Sequence, residues 1–357
     1  MRIAVLGVGL IGGSIGLAAR ERVGAHVVGW GPRQASLEAA LDKGAIDEVA
    51  ATVAEAVHDA DAVFACAPVE SLPDLIAQAL AAAPSDCVVT DAGSTKRALV
   101  EAITDERFVG GHPVAGAETA GVANARADLF DGAAWYLTPR ADSSGILFER
   151  LHRLIVSFGA RPSAIDADTH DRMLAAVSHL PHVLANVLVT QAASEVAHGE
   201  PLPRTGPSFR DMTRVAGANS DIWTGIYLTN RDAIADEIDG VIGRLQVMAE
   251  SLKSADADAL REWNDAARED RRRLLEAGLE GASVTELRLS VPNRPGIVAQ
   301  VALALGKAGV NIADMALAPA PDMRSGSMTL WIAGDGEAER ARQLIEGLGF
   351  PTAVVEG

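Results

Sequence analysis

Cysteine is scarce in this chain, with Cys66 and Cys87 as the two instances among 357 residues. They lack the spacing of a metal site, and each falls in an apolar, strand-like run where a thiol acts as a small core residue. This composition argues against a disulfide-stabilised scaffold, and we expect no metal ion. A reducing compartment fits it, so we predict a cytoplasmic protein.

Positive charge is also in short supply. The chain carries 31 lysines and arginines against 48 acidic residues, which gives a formal net charge of −17. Such a field repels nucleic acid and anionic membranes, and neither is expected as a partner. An anionic small molecule would need a site that concentrates arginine or helix N-termini locally.

Long apolar runs are lacking as well. Outside the N-terminal stretch MRIAVLGVGLIGGSIGLAAR, no segment approaches the ~20 apolar residues of a membrane span. The glycine spacing of that stretch argues against a signal peptide. With 48% hydrophobic residues over 357 positions, the chain is expected to form two or three domains.

Short apolar segments alternate with helical patterns through residues 1–164. RIAVL, HVVGW, DAVFA and CVVT are typical of strands, and two more strands are expected at 108–110 and 134–137. Helical periods follow the first four strands, at 12–20, 34–43, 72–83 and 96–103. The alternation predicts an α/β domain with a doubly wound, Rossmann-type parallel sheet.

Residues 165–280 are expected to form an all-helical domain. Between 170 and 197 the helical period places apolar side chains near one stripe, comprising Met173, Leu174, Val177, Leu180, Leu184, Val187 and Leu188. This apolar surface favours a homodimer. Residues 284–357 then follow the order strand–helix–strand–strand–helix–strand, which predicts a small α+β (βαββαβ) domain.

The stretch VLGVGLIGGSIG places Gly7, Gly9 and Gly12 in the spacing G-x-G-x-x-G, between a strand and a helix. This context predicts a dinucleotide site, with Leu10 and Ile11 at the helix N-terminus that faces the phosphates. Ala67 and Pro68, beyond the strand DAVFA, are expected to line the same site.

The end of the second predicted strand bears on the choice of cofactor. NAD sites usually carry an acid there, whereas this chain has Gly31, with Arg33 two residues later. An arginine attracts a 2′-phosphate, so the sequence leaves both NAD and NADP open.

Three further stretches combine groups suited to catalysis: DAGSTK at 91–96, GGHPVAGAETAG at 110–121 and SHLPH at 178–182. The first two follow strand ends, which face the ligand crevice in a doubly wound sheet. Ser94 and His112 are therefore expected to point at the nicotinamide. Pro181 removes a helical hydrogen bond at a cost of about 3 kcal/mol, and we expect it to break the helix and aim His179 and His182 inward.

These motifs, together with FRDMTR and NSDIW, resemble the prephenate and arogenate dehydrogenase family over nearly the whole chain. The resemblance implies oxidative decarboxylation of prephenate to 4-hydroxyphenylpyruvate in tyrosine biosynthesis, with hydride transfer to NAD, the family default, or NADP. It also implies that His112 is the base that takes the hydroxyl proton, because histidine suits that task near neutral pH.

The remaining roles are implied in the same way. Ser94 would orient the substrate hydroxyl and His112, and His179 would hold this network from the helical domain. Arg214 matches the arginine that binds a substrate carboxylate, and Arg210 lies one turn earlier. Two more residues are expected at the walls of the substrate site, His182 and Trp223.

The C-terminal unit resembles an ACT domain, which in such enzymes binds an amino-acid effector. Its VPNRPGI turn and its second strand supply Asn293, Gly296 and Asn311 as effector-binding candidates, at a domain or subunit interface. Tyrosine or phenylalanine is the expected effector.

Three alternatives stay open. Arogenate dehydrogenase differs only in the side-chain amine of its substrate. A β-hydroxy-acid dehydrogenase would rely on a lysine in the long helix, and none occurs between 171 and 197. A non-catalytic sensor would couple a dinucleotide to an amino acid without turnover.

Overall fold

The computed structural model describes residues 1–115, 120–194, 205–277, 283–320, 324–334 and 336–355. Contacts within the chain divide it into two compact units. The first comprises Met1–Pro201 and Thr213–Val241, and the second comprises Leu202–Met212 and Ile242–Gly357. The predicted boundary at 280 and 284 falls largely on residues outside the described ranges.

The first unit is built on an eight-stranded sheet in the order β3-β2-β1-β4-β5-β6-β7-β8. The strands are β1 (Arg2–Leu6), β2 (His26–Trp30), β3 (Glu48–Val49), β4 (Ala62–Ala65), β5 (Val88–Asp91), β6 (Phe108–Pro113), β7 (Ala134–Thr138) and β8 (Arg161–Ala164). Strands β1 to β6 run parallel. The winding reverses between β1 and β4, which confirms the Rossmann-type prediction and creates a ligand crevice at that point.

Strand β7 departs from the expected all-parallel sheet. It pairs antiparallel with β6, with Gly110 opposite Thr138 and Pro113 opposite Trp135. The described part of the connection between these strands holds a single 3-10 turn, Val122–Asn124, and no crossover helix. A chain without a crossover returns beside the preceding strand in the opposite direction.

In the described part of this domain, six α-helices cover the sheet: α1 (Leu10–Ala18), α2 (Gln34–Asp42), α3 (Val53–Val57), α4 (Leu72–Ala82), α5 (Arg97–Ala102) and α6 (Gly145–Ser157). Strand β1 shows why both faces need cover. Ile3 and Val5 enter one buried cluster, whereas Ala4 and Leu6 enter another. Successive side chains of a strand point to opposite faces, so a sheet buried on both sides is apolar throughout.

The helical part follows as α7 (Ala167–Leu174), α8 (Leu180–Ser194), α9 (Pro207–Thr213), α10 (Ser220–Thr229), α11 (Arg231–Lys253) and α12 (Ala257–Ala277). Between α7 and α8 the chain forms a π-helical turn, Ala175–His179. Pro181 therefore does not break the helix as expected, because the wider turn accommodates the lost hydrogen bond. The end of the predicted helix, at 195–197, lies outside the described residues.

The stretch Ala167–Ser194 has a mean hydropathy of 1.5 and is long enough to cross a membrane, by length and composition alone. From the sequence, no segment outside the N-terminal stretch was expected to approach the ~20 apolar residues of a membrane span, and by this measure the expectation was wrong for Ala167–Ser194. The core helix of a soluble protein passes the same test. Within this stretch, Asp171 is buried and accepts hydrogen bonds from two backbone N–H groups of α5 and its preceding loop, which fixes the start of the stretch against the sheet domain.

The second unit contains β9 (Val284–Pro292), α13 (Ile297–Lys307), β10 (Asn311–Pro319), β11 (Ser325–Ala333), α14 (Glu337–Gly347) and β12 (Thr352–Val355). The sheet order is β10-β11-β9-β12, with antiparallel neighbours. This confirms the predicted βαββαβ order. Helix α12 packs beside this sheet, where the Arg271 guanidinium lies 3.9 Å from the centre of the Trp331 ring and 3.2 Å from Asp314.

Candidate active site

The glycine loop has the backbone geometry that a bound dinucleotide requires. Gly7 has φ +102°, and a Cβ there would overlap the carbonyl of Cys66. A Cβ at Gly12 would overlap the carbonyl of Gly7, whereas a Cβ at Gly9 would meet no atom within 4 Å. Gly7 therefore makes the turn, Gly12 permits close helix packing, and Gly9 opens a cradle in which backbone can approach a pyrophosphate.

A cavity of about 500 Å³ lies at the switch point of the sheet. Its lining includes five of the predicted cofactor residues, namely Gly7, Gly9, Arg33, Ala67 and Pro68. Leu10 and Ile11 are the first residues of α1 and pack partly against the core. The shape and the donors of this cavity fit a dinucleotide.

His112 lies near the carboxyl end of β6 and is 8% exposed. Its Nδ1 is 2.9 Å from Nε2 of the buried His170, and Nδ1 of His170 is 2.8 Å from the Asp171 carboxylate. That carboxylate also accepts hydrogen bonds from the backbone N–H groups of Lys96 and Arg97, at 2.8 and 2.9 Å.

This chain of hydrogen bonds fixes the tautomers. Asp171 can only accept, so His170 donates from Nδ1 and its Nε2 carries the lone pair. His112 must then donate from Nδ1, and its Nε2 is the acceptor. The described residues form no other hydrogen bond to the His112 ring, so Nε2 is available to take a proton.

Burial, with the neighbouring His170, Lys96 and His179, holds the pKa of His112 well below 6.5. His112 is therefore neutral at physiological pH, as a base must be before it accepts a proton.

A buried ion pair supports the DAGSTK loop and the strand that carries His112. Lys96 and Asp91 are fully buried and paired. The Asp91 carboxylate also accepts hydrogen bonds from the backbone N–H groups of Gly93 and Gly111, at 2.8 and 2.9 Å. Asp91 thereby ties the DAGSTK loop to the residue before His112.

A second group of side chains surrounds the π-helical turn. His179 is 1% exposed, and its Nδ1 lies 3.1 Å from Nδ2 of Asn230. The His182 and Trp223 rings stack with centroids 3.5 Å apart, and the edge of His179 faces Trp223 at 6.0 Å. Burial lowers the pKa of His179 to about 4.

Arg214 follows α9 on an exposed turn. Burial and the nearby Arg214 charge both lower the pKa of His182. Contacts therefore run from His112 to His182, through His170, Asp171, Asn230, His179 and Trp223. The charge of Arg214 acts on His182 at the end of this series.

Some predicted residues stand apart from this network. Ser94 is half-buried in the DAGSTK loop and, among the described residues, makes no hydrogen bond to His112; the partner is His170 instead. Arg210 lies on α9 in the second compact unit. The Gly116 end of the G-G-H-P-x-A-G motif lies outside the described residues.

The effector candidates occupy two ends of one sheet. Pro292, beside Asn293, pairs with Ser325, whereas Asn311 pairs with Ala333. These are the two ends of the nine-residue strand β11, ~27 Å apart at the rise of a strand. Within one copy, Asn293 and Gly296 cannot meet Asn311 around one small ligand.

Three residues of this network were not predicted from the sequence, namely His170, Asp171 and Asn230. The first two form a His–Asp pair one turn before the apolar stripe begins. Their burial identifies them, and burial depends on the packing of α7 against α5. The one signal in the sequence was a polar pair at the start of an apolar helix.

Comparison with known proteins shows which family this chain resembles. Residues 15–163 match the family described as prephenate dehydrogenase, nucleotide-binding domain, and residues 166–265 match prephenate dehydrogenase, dimerization domain. The prephenate dehydrogenase of Bacillus subtilis (strain 168) is 30% identical over 359 aligned positions, which cover 96% of this chain and 95% of that protein. The cyclohexadienyl dehydrogenase of Zymomonas mobilis is 31% identical over 269 positions, covering 73% of this chain and 91% of that protein.

A solved structure of prephenate dehydrogenase from A. aeolicus, in complex with hydroxyphenyl propionate and NAD+, superposes with a TM-score of 0.71 and 28% identity. It covers 77% of this chain and 98% of that chain. The glycine cradle, the buried imidazole pair and these similarities lead to one assignment: the chain belongs to the prephenate dehydrogenase family.

Proposed function

We propose that this chain is a prephenate dehydrogenase, which transfers a hydride from prephenate to NAD or NADP and releases CO2 to give 4-hydroxyphenylpyruvate. The named relatives support this. The observation that carries it is the neutral His112 imidazole, held by His170 at 2.9 Å with Nε2 available. This base lies at the edge of the sheet where the carboxyl ends of the parallel strands meet the nucleotide cavity.

Oxidation removes a hydride from the carbon that bears the ring hydroxyl, and the bound nicotinamide supplies the acceptor. His112 Nε2 takes the hydroxyl proton. The imidazolium that forms donates from Nδ1 to His170, which is bonded in turn to the Asp171 carboxylate, so the new positive charge is stabilised. The product carbonyl is conjugated with the ring, and loss of the ring carboxylate as CO2 gives an aromatic phenolate, which takes its proton back from the His112 imidazolium.

Substrate carboxylates need a fixed positive partner in a protein of net charge −17. We assign this role to Arg214, because a planar guanidinium binds a carboxylate through two parallel hydrogen bonds. The stacked His182 and Trp223 rings would form an adjoining wall. Ser94 remains the candidate for the substrate hydroxyl, and Arg210 for a second carboxylate contact.

The cofactor cavity supports use of NADP as well as NAD. Gly31, Arg33 and Ser36 line it at the end of β2, where NAD sites usually carry an acid. Arg33 is exposed and forms no ion pair within the described residues, so its charge is available to a 2′-phosphate.

We also propose a cytoplasmic homodimer. The family description of residues 166–265 as a dimerization domain supports the dimer. Val177, Val187 and Val189 are exposed on and beside α8, at 64%, 54% and 37%. A partner subunit would bury exposed apolar side chains of this kind.

The βαββαβ unit would act as an ACT-like regulatory domain that binds tyrosine or phenylalanine. Because Asn293 and Asn311 lie at opposite ends of the sheet, an effector touching both would be bound between two copies of the domain. If 1 mM tyrosine or phenylalanine changed neither the rate nor the thermal stability, this regulatory proposal would fail.

One experiment tests the central proposal. Purified protein is mixed with prephenate or arogenate and with NAD or NADP, and reduced-nicotinamide absorbance is followed. Turnover of prephenate is expected, whereas exclusive turnover of arogenate would favour an arogenate dehydrogenase. Cofactor binding without any turnover would favour the sensor.

In the same assay, His112→Asn should bind cofactor normally and lose at least ~100-fold in turnover.

A further inference from the structure

Asn230 follows α10 and is fully buried beside the imidazole network. Its Nδ2 lies 2.8 Å from the Asp171 carbonyl oxygen and 3.1 Å from His179 Nδ1. A carbonyl oxygen can only accept, so the amide nitrogen of Asn230, not its oxygen, must face Asp171. The orientation of the side chain is thereby determined.

The second N–H of that amide points to His179. Nδ1 of His179 must therefore be the acceptor, and in the neutral ring the proton lies on Nε2. His179 is neutral at physiological pH, since burial lowers its pKa to about 4.

Asn230 Oδ1 is buried and finds no hydrogen-bond partner in the described part of the chain. An unpaired buried acceptor is costly, and such a group in a folded protein calls for an explanation. The other two contacts of the side chain, to Asp171 and His179, explain why its oxygen is left without a partner.

We propose that Asn230 is a positioning residue that holds His179 as an N–H donor toward an oxygen of the substrate. This rests on the proposed function. Asp171 serves both histidines: its carboxylate holds His112, through His170, as the acceptor, and its carbonyl holds His179, through Asn230, as the donor. A donor imidazole attracts a substrate carboxylate oxygen, whereas a lone pair in the same place would repel it.

The test is Asn230→Asp in the full-length protein. A carboxylate at 230 can only accept, so it draws the proton of His179 to Nδ1 and leaves a lone pair at Nε2. We expect KM for prephenate to rise roughly 10- to 100-fold, as for a lost hydrogen bond to a charged group, while kcat changes less and the Kd of NAD is unchanged. Asn219→Asp is the matched control, because this exposed residue caps the same helix with its side-chain oxygen, which aspartate retains.

A spectroscopic measurement separates positioning from mere structure. Histidine 15N NMR shifts distinguish the two neutral tautomers, and the His179 signal is assigned with His179→Gln. Wild-type protein should show His179 protonated at Nε2, and Asn230→Asp should show it protonated at Nδ1. If Asn230→Asp fails to fold, the proposal is tested by the KM of Asn230→Ala and by the His179 tautomer in the wild-type spectrum.

A wild-type His179 protonated at Nδ1, or an unchanged KM in a folded Asn230→Asp or Asn230→Ala variant, would overturn the proposal. Absence of prephenate turnover by the wild type would instead overturn the proposed function, and the tautomer spectrum would still judge the role of Asn230.

Discussion

Replacing His170 by leucine removes the acceptor of the His112 Nδ1–H and the link to Asp171 in one step. His170 is fully buried and lies 2.9 Å from His112. Leucine is apolar and fits a buried position, so the fold is expected to survive. The rate of proton transfer should fall, because His112 can then adopt the tautomer that carries its proton on Nε2.

The magnitude follows from the hydrogen bond lost. A buried N–H left without an acceptor costs about 1–3 kcal/mol. At 1.36 kcal/mol per factor of ten, this corresponds to about a 5- to 150-fold loss of rate. The charge that develops on His112 during proton transfer places the effect toward the upper end, so we expect kcat to fall roughly 10- to 100-fold, with an unchanged Kd for NAD.

The assay is steady-state turnover of prephenate by reduced-nicotinamide absorbance, with circular dichroism to verify folding. His170→Gln is the informative second variant, since a glutamine oxygen can still accept from His112 but no longer connects to Asp171; its loss should be smaller. His58→Leu, on an exposed surface, is the control. A folded His170→Leu enzyme with wild-type kcat would refute the assignment of His170 and the tautomer argument.

Three further outcomes are expected. The lowered pKa of His112 means that its base form is lost only as pH falls well below 6.5, so kcat/KM should stay level from neutral pH to below that value; an acid limb centred above 6.5 would contradict this. Lys96→Met leaves the buried Asp91 carboxylate unpaired and should cost about 3–5 kcal/mol of unfolding free energy in urea titrations, with part recovered by adding Asp91→Asn. Arg214→Lys should raise KM for prephenate at least ~10-fold with little change in the Kd of NAD, because an ammonium cannot replace a two-point contact; an unchanged KM would remove Arg214 from substrate binding.

The nucleotide loop was predictable because its constraints are local. Gly7, Gly9 and Gly12 are required by a turn, a ligand approach and a close packing contact that lie within six positions of one another. The βαββαβ order of the last unit was equally accessible, since each of its elements has a clear hydrophobic period.

The imidazole network was not predictable in this way. His112 and His170 are 58 positions apart in sequence, and nothing local indicates that α7 brings them within hydrogen-bonding distance. The reversal of β7 and the separation of Asn293 from Asn311 depend likewise on strand pairing, which a single sequence pattern does not specify.

The π-helical turn Ala175–His179 has a consequence for insertions and deletions. Each residue advances a helix by about 100°, so removing one alanine from this turn would restore a regular ladder of backbone hydrogen bonds. It would also rotate the following residues, including His182, by about a quarter of a turn around the helix axis. The π-helical turn thus interrupts the regular helix, but it keeps His182 in its rotational position about the helix axis relative to His170.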